Sequence, residues 1–342
     1  MSISRRTILK GAAGGSVLLA APALIGRAQA QGKKVQYICP FAYQLSFAPE
    51  LNSVAGGHQA RHGLDVQVEA GRGGAMAVQQ VVAERAMFSR ASGLEIALSV
   101  DRGADLVGIA TIVQASNFFV VSPEAKPIRN AKDMVGKTIG VVSVKGTTEN
   151  LLDMMLIKHN IPVDKVPRQT VGNAPSAFAL VQQGRIDAMI VSIPTVTLLR
   201  HAGEKIHAWS TDQEAKTPGQ VYFCLRSTVE KEADTVARFL RGIRDSAREM
   251  LAADTQAKRE AIVKRLGDQF KIEGATNLVA GAQTMVDEEE LWLAEGKENL
   301  LINVPSRYKE MTDMMAAIKL IEKPLDPTRL YTNALIQDAL KS

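Results

Sequence analysis

Short apolar runs alternate with stretches of helical spacing over the first two thirds of the chain. Residues 35–40 read as a buried strand, 48–61 as the span of a helix ended by Gly63, and 64–69 as a strand of alternating polarity. A glycine-rich turn at 71–74 leads into a predicted helix over 75–85. A strand at 86–90, a helix at 94–100 and a strand at 106–113 follow. The pattern then restarts. It predicts a short helix at 130–135, a strand at 137–143, a helix opened by Gly146 and running to about His159, and a strand at 166–170. A helix at 174–183, a strand at 186–192, a helix at 194–202 and a strand at 206–210 complete the round. Such alternation implies βαβ units and mainly parallel sheets flanked by helices, an α/β fold.

A strand-like run at 221–225 precedes a helical region, predicted at 232–253, 256–266, 274–286 and 306–320. In the first of these, Val236, Phe239, Leu240, Ile243, Ala247 and Leu251 recur at spacings of three or four. Those helices need a sheet face to cover. The economical path takes the chain out of a first lobe near 118–122 and back near 221–225, so two crossing segments form a hinge. No tandem repeat, low-complexity segment or long linker interrupts this plan.

The amino terminus has a different pattern. Ser4 to Lys10 resembles the twin-arginine signal S-R-R-x-F-L-K, with Ile8 in place of Phe. An apolar run from Gly11 to Ile25 and the A-x-A ending at Ala28 to Ala30 complete the layout of a cleaved signal peptide. The run is shorter than the roughly 20 residues a membrane span needs. Arg5, Arg6, Lys10 and Arg27 fall in this segment with no acid, so its removal lowers the formal charge from +5 to +1. That charge offers nothing to nucleic acid or to membrane lipid. Cys39 and Cys224 both sit in strand-like apolar runs, which favours two buried free thiols.

Four stretches resemble a known family. Residues 55–66 (AGGHQARHGLDV) are similar to its "kGyFkeeGLdV" segment, and 71–75 (GRGGA) stand where it has a glycine-rich turn. Residues 133–141 (DMVGKTIGV) resemble "dLkGKkIgv", and 177–188 (AFALVQQGRIDA) resemble "aLqsGqvDA". The family is the periplasmic substrate-binding proteins of ABC transporters with the type II two-lobe fold. Within it, the resemblance is to the nitrate/sulfonate/taurine and thiamine-pyrimidine-precursor (NMT1/THI5-like) group. It implies a cleft between a first lobe of residues 31–120 plus 221–342 and a second of 121–220, after a signal peptide of 1–30. One departure stands out. Where the family has an acidic "aDfg" strand, this chain has AMFSRA at 86–91, which puts Arg90 near the expected cleft mouth.

The candidate chemistry lies at helix starts. Gly73, Gly74 and Ala75, then Gly146, Thr147 and Thr148, then Asn173, then Ser192 each follow a strand and open a helix. Open backbone N–H groups at such positions favour an anionic or hydrogen-bonding ligand, and the same residues serve equally as ordinary caps. Ligands of open α/β sheets bind at the carboxyl ends of strands. Tyr43, Ser46 and Phe47 follow the first strand, where the resemblance implies ligand contacts; the alternative is a hydrophobic staple. Arg72 and Arg90 would favour an anion. Gln114 and Asn117 precede the first crossing and Tyr222 lies in the second. His58 and His62 have a zinc-compatible spacing, but no completing ligand accompanies them, so they read as surface histidines. The acid run 287–290 reads as a solvated helix face. No catalytic motif, metal site or cofactor site is evident.

The expected function is therefore capture of a small anionic or heteroaromatic solute by a monomeric, non-enzymatic periplasmic receptor. Its expected partners are an ABC permease in the inner membrane and, during export, the twin-arginine translocase. An enzyme on the same fold, such as a pyrimidine-precursor synthase or desulfinase, and a sensor domain are the competing readings. Changing Arg5 and Arg6 together to Lys should leave the precursor in the cytoplasm on fractionation and immunoblotting; unimpaired export would exclude the twin-arginine route.

Overall fold

Strands form where apolar side chains can be buried on both faces of a sheet covered by helices. The computed structural model describes residues 32–272 and 274–341; the export signal read at 1–30 lies outside them. One sheet contains β1 (Lys33–Ile38), β2 (Leu64–Glu69), β3 (Phe88–Ala91), β4 (Leu106–Val113) and β10 (Gln220–Leu225) in the order β2-β1-β3-β10-β4. The other contains β5 (Phe118–Pro123), β6 (Ile139–Val141), β7 (Arg168–Thr170), β8 (Ala188–Ser192) and β9 (Ile206–Ser210) in the order β7-β6-β8-β5-β9.

The two sheets share one plan. β1 pairs in parallel with β2 and β3, and β10 runs antiparallel between β3 and β4. β6 pairs in parallel with β7 and β8, and β5 runs antiparallel between β8 and β9. In each sheet the strand that arrives from the other sheet is thus reversed against four that run together. The crossing segments expected at 118–122 and 221–225 are these two reversed strands. The fold is α/β, as the alternation implies, but the sheets are mixed and not mainly parallel, because each takes in one reversed strand with antiparallel pairing on both sides.

Core packing follows the periodicity. Every residue of β4 is buried. The helix Ala233–Leu251 buries Val236, Phe239, Leu240, Ile243 and Ala247. Phe239 stacks on Phe88 of β3 at 4.2 Å between ring centroids, which ties this late helix to the first sheet. Cys39 and Cys224 are both buried and free. Among the described residues no helix is long and apolar enough to cross a membrane.

Three expectations change. The helix expected over 48–61 is two pieces, Ala48–Ala55 and His58–Arg61, because Gly57 adopts a left-handed φ of 71°. The histidines are not simple surface groups. His58 is buried and its Nε2 lies 2.7 Å from Glu249, while His62 Nε2 lies 2.8 Å from Asp245. Both thereby pin the short helix to Ala233–Leu251. The acid run is not a solvated face either. It lies in the helix Leu278–Trp292, which packs against Gln256–Phe270 on one side and Ile193–His201 on another, so Glu288 and Glu289 are buried. The helices Arg226–Lys231 and Ala334–Lys341 lie where no helix is expected from periodicity.

The two crossings are joined by hydrogen bonds and by a close approach at Gly219. Ser116 N–H donates to Asp212 Oδ1 at 2.8 Å, and the Ser116 and Thr211 hydroxyls lie 2.8 Å apart. Gln114 Nε2 donates to the carbonyls of Asn299 and Ile302. At Gly219 a side chain has no room, since a Cβ would stand 1.9 Å from the Ala115 carbonyl oxygen. Gly219→Ala should therefore cost about 2–3 kcal/mol, read as a lower urea midpoint; an unchanged midpoint would show that the crossings yield freely.

Candidate functional site

The ends of strands from both sheets open on one cavity of about 240 Å³. The first sheet contributes the loop 40–47 after β1, Arg90 of β3 and Gln220 at the start of β10. The second contributes Asn117 and Phe118 at the start of β5, Val142 after β6, Asn173 to Pro175 after β7, and Ser192, Pro194, Thr195 and Leu198 around the end of β8. β5 and β10 begin here because they run against their neighbours. The site therefore lies at the carboxyl ends of the codirectional strands, where ligands of open α/β sheets bind.

The loop 40–47 is held from behind. Gly71 N–H donates to the Phe41 carbonyl at 3.1 Å and Gly73 N–H to that of Pro40 at 2.6 Å. A Cβ on Gly71 would stand 2.2 Å from the Cys39 carbonyl oxygen, so this close approach requires glycine. Tyr43 Oη donates to the Val68 carbonyl, and its ring meets Phe270 edge-on at 5.3 Å. The Phe41 ring is 41% exposed beside the cavity.

Below the loop lies a buried charge. Arg90 is fully buried, with its guanidinium 4.8 Å from the centre of the Phe47 ring. Its Nη1 donates to Glu50 Oε2 at 3.2 Å and its Nε to Gln220 Oε1 at 3.3 Å. Tyr222 and Tyr37 each donate to Glu50, at 2.8 and 3.1 Å. Burial raises the Glu50 carboxyl's pKa, and Arg90 and the two tyrosine hydroxyls oppose that rise. Burial works to discharge Arg90, but Glu50 together with the tyrosines and Glu288 around it more than offsets this and holds it charged.

A family model described as NMT1/THI5 like matches residues 44–257, more than half of the chain. The chain belongs to the NMT1/THI5-like family. Solved structures share the fold. The alkanesulfonate-binding protein SsuA from Xanthomonas axonopodis pv. citri, bound to MOPS, is 13% identical, with a TM-score of 0.67 over 89% of this chain and 100% of that one. The periplasmic aliphatic sulphonate binding protein SsuA from Escherichia coli is 14% identical, with a TM-score of 0.64 over 88% and 93%. The desulfurization enzyme DSZB is also 14% identical, with a TM-score of 0.54 over 90% and 99%. Among curated proteins nothing matches this sequence.

In this NMT1/THI5-like protein the cavity gathers Tyr43, Ser46, Phe47, Arg90, Asn117, Asn173 and Ser192 of the expected set. Arg90 forms the floor and is not at the mouth, because its charge needs Glu50. Asn173 and Ser192 lock each other, with Nδ2 donating to Ser192 Oγ at 2.7 Å and Ser192 N–H donating to Asn173 Oδ1 at 2.9 Å. The Asn117 Oδ1 is buried without a partner.

The other expected residues do different work. Arg72 and Ala75 are exposed away from the cavity. The turn with Gly73 and Gly74 backs the loop 40–47. Gly146, Thr147 and Thr148 also stay outside the lining, and Thr148 Oγ1 accepts from Val142 N–H. Glu95 lies beside two of these helix starts. A Cβ on Gly74 would meet its Oε2 at 2.5 Å, and Ser92 Oγ lies 3.1 Å from Thr147 Oγ1. Burial raises the Glu95 carboxyl, and hydrogen bonds from Thr147 and Ser92 counter it. Gln114 and Tyr222 are spent on structural hydrogen bonds. Phe41, Gln220, Leu198 and Thr284 line the cavity without a local sequence signal, since only tertiary packing brings them there.

Glu288 lies one turn along its helix from Thr284. Burial pushes its carboxyl up to about 8, against the attraction of Arg90. A carboxyl raised on folding contributes stability that is full below its unfolded value near 4.5 and is lost as pH rises through 8. Glu288→Gln should therefore flatten the fall of the urea midpoint over that window and exceed the parent's stability at its alkaline end. Parallel curves for the two proteins would contradict the burial argument.

Proposed function

We propose that this protein is the extracytoplasmic solute-binding component of an ABC importer. It captures a small organic anion or heteroaromatic solute in the cavity between the two sheets and presents it to a permease in the inner membrane. The observation that carries this reading is the cavity itself, lined by strand ends from both sheets, with unpartnered polar atoms in an apolar wall. A cavity of about 240 Å³ has room for a small organic molecule. Similarity to sulfonate-binding proteins of this fold supports the same class of ligand.

In this reading, residues 31–120 with 221–342 and residues 121–220 are the two lobes. They close by rotation about the paired crossings, and the solute selects the closed form by binding it more tightly. The protein acts as a monomer, exported by the twin-arginine route and cleaved near Ala30.

The wall chemistry favours binding over turnover. Among the described residues the lining contains no Cys, His, Lys, Asp or Glu. Ser46, Ser192 and Thr195 therefore have no base beside them in the cavity. Cys39 and Cys224 lie outside it, and burial pushes both thiols up, Cys224 to about 12.

A thermal-shift screen of the mature protein against sulfonates, aromatic carboxylates, pyrimidines and nitrate tests this. A true solute at 100 times its Kd adds about 2.7 kcal/mol, a plain rise in Tm. Mass spectrometry should then recover the solute unchanged; its conversion would make the protein an enzyme.

A further inference from the structure

We propose that Arg90 takes an oxygen of the bound solute on its Nη2, and that Glu288 must carry a proton for a negatively charged solute to bind there. This rests on the solute-binding reading and adds to it a specific contact and a proton linkage. Two of the three guanidinium nitrogens are committed, Nε to Gln220 at 3.3 Å and Nη1 to Glu50 at 3.2 Å. Nη2 is buried without a partner, in a side chain that lines the cavity. The Phe47 ring over one face and the two bonds fix the plane, so the group cannot turn away. A buried cationic N–H left unpaired is costly, and a solute oxygen removes that cost. Asn117 Oδ1, buried and unpartnered in the same lining, offers a second polar anchor.

The local charge decides what else the site needs. Glu50 already neutralises Arg90. Glu288 is a second carboxyl near that pair, buried, with only the Trp292 indole N–H of its own helix beside it as a donor. The groups facing Glu288 are Arg90 from β3, Glu50 from Ala48–Ala55, and Asp287 and Trp292 from its own helix. The helix Ile193–His201 packs here too, but it offers Thr197, bonded to Asp287, while Arg200 and His201 are exposed. Arg259 of Gln256–Phe270 is taken by Glu289. β4 and residues 45–47 bring no charge. Glu288 therefore has no counter-ion of its own, and burial keeps it a neutral acid at neutral pH. Once ionised, it would oppose any anion on Nη2. Affinity for an anion is then level below about pH 8 and falls by up to tenfold per pH unit above it, whereas an uncharged solute shows no such fall.

Bromide is a probe that needs no knowledge of the solute. Crystals of the mature protein would be soaked in sodium bromide at about pH 6.5 and about pH 9.5, either side of the titration. The expected result is an anomalous peak within hydrogen-bond distance of Arg90 Nη2 at the lower pH, lost at the higher pH, and kept at both in Glu288→Gln. No peak at Arg90 at the lower pH would overturn the anchor. Equal peaks at both pH values in the parent protein would overturn the linkage. The outcome is separable from that of the screen. A solute that binds with no atom on Nη2 removes this proposal and leaves the receptor, whereas bromide at Arg90 with no hit among the solutes does the reverse.

Discussion

A guanidinium sealed from water has to be neutralised where it sits, and Arg90 imposes that demand where four elements meet. Glu50 answers it from the first helix, Gln220 from the returning strand, and Phe47 from the loop between β1 and that helix. Tyr37 and Tyr222 satisfy the remaining oxygen capacity of Glu50. Breaking such a pair leaves a buried charge alone, at a cost of about 3–5 kcal/mol. The pair fixes the inner end of the loop 40–47 through Phe47, and the turn at Gly71 and Gly73 holds its start. A lysine could not replace Arg90, because the arrangement uses separate nitrogens of a rigid plane in different directions.

Much of the fold was legible because the periodicity of burial is local. The run at 106–113 became β4 and the run at 206–210 became β9 without a change of boundary. The reversed strands were legible only as crossings, since nothing in an isolated apolar run records its direction. The break at Gly56 and Gly57 was harder to see, as glycines inside a helical pattern are often tolerated. The acid run at 287–290 misled for a different reason. Charge is a good guide to a surface only when one side of a helix is covered, and Leu278–Trp292 is covered on more than one.

The site was half legible. Helix starts pointed to Asn173 and Ser192, the first crossing to Asn117, and the resemblance to the loop holding Tyr43, Ser46 and Phe47. Helix starts at Gly74 and Thr147 looked equally good, and from sequence they remain so. Glu95, far from both in sequence, is brought beside them by the helix Gly93–Asp101, and no local pattern records that. The Arg90 departure from the family pattern is visible in one line of sequence, but its burial against Glu50 is not.

The two thiols carry a consequence of a different kind. Neither is paired, both are buried in the first sheet's core, and neither lines the cavity. The fold therefore owes nothing to the redox state of its surroundings and can be completed in a reducing compartment or kept in an oxidising one. Cys39 directly follows β1 and Cys224 lies in β10, both buried, so a small electrophile reaches them only when that sheet comes apart. They amount to an internal clock of unfolding, started only when the fold is lost.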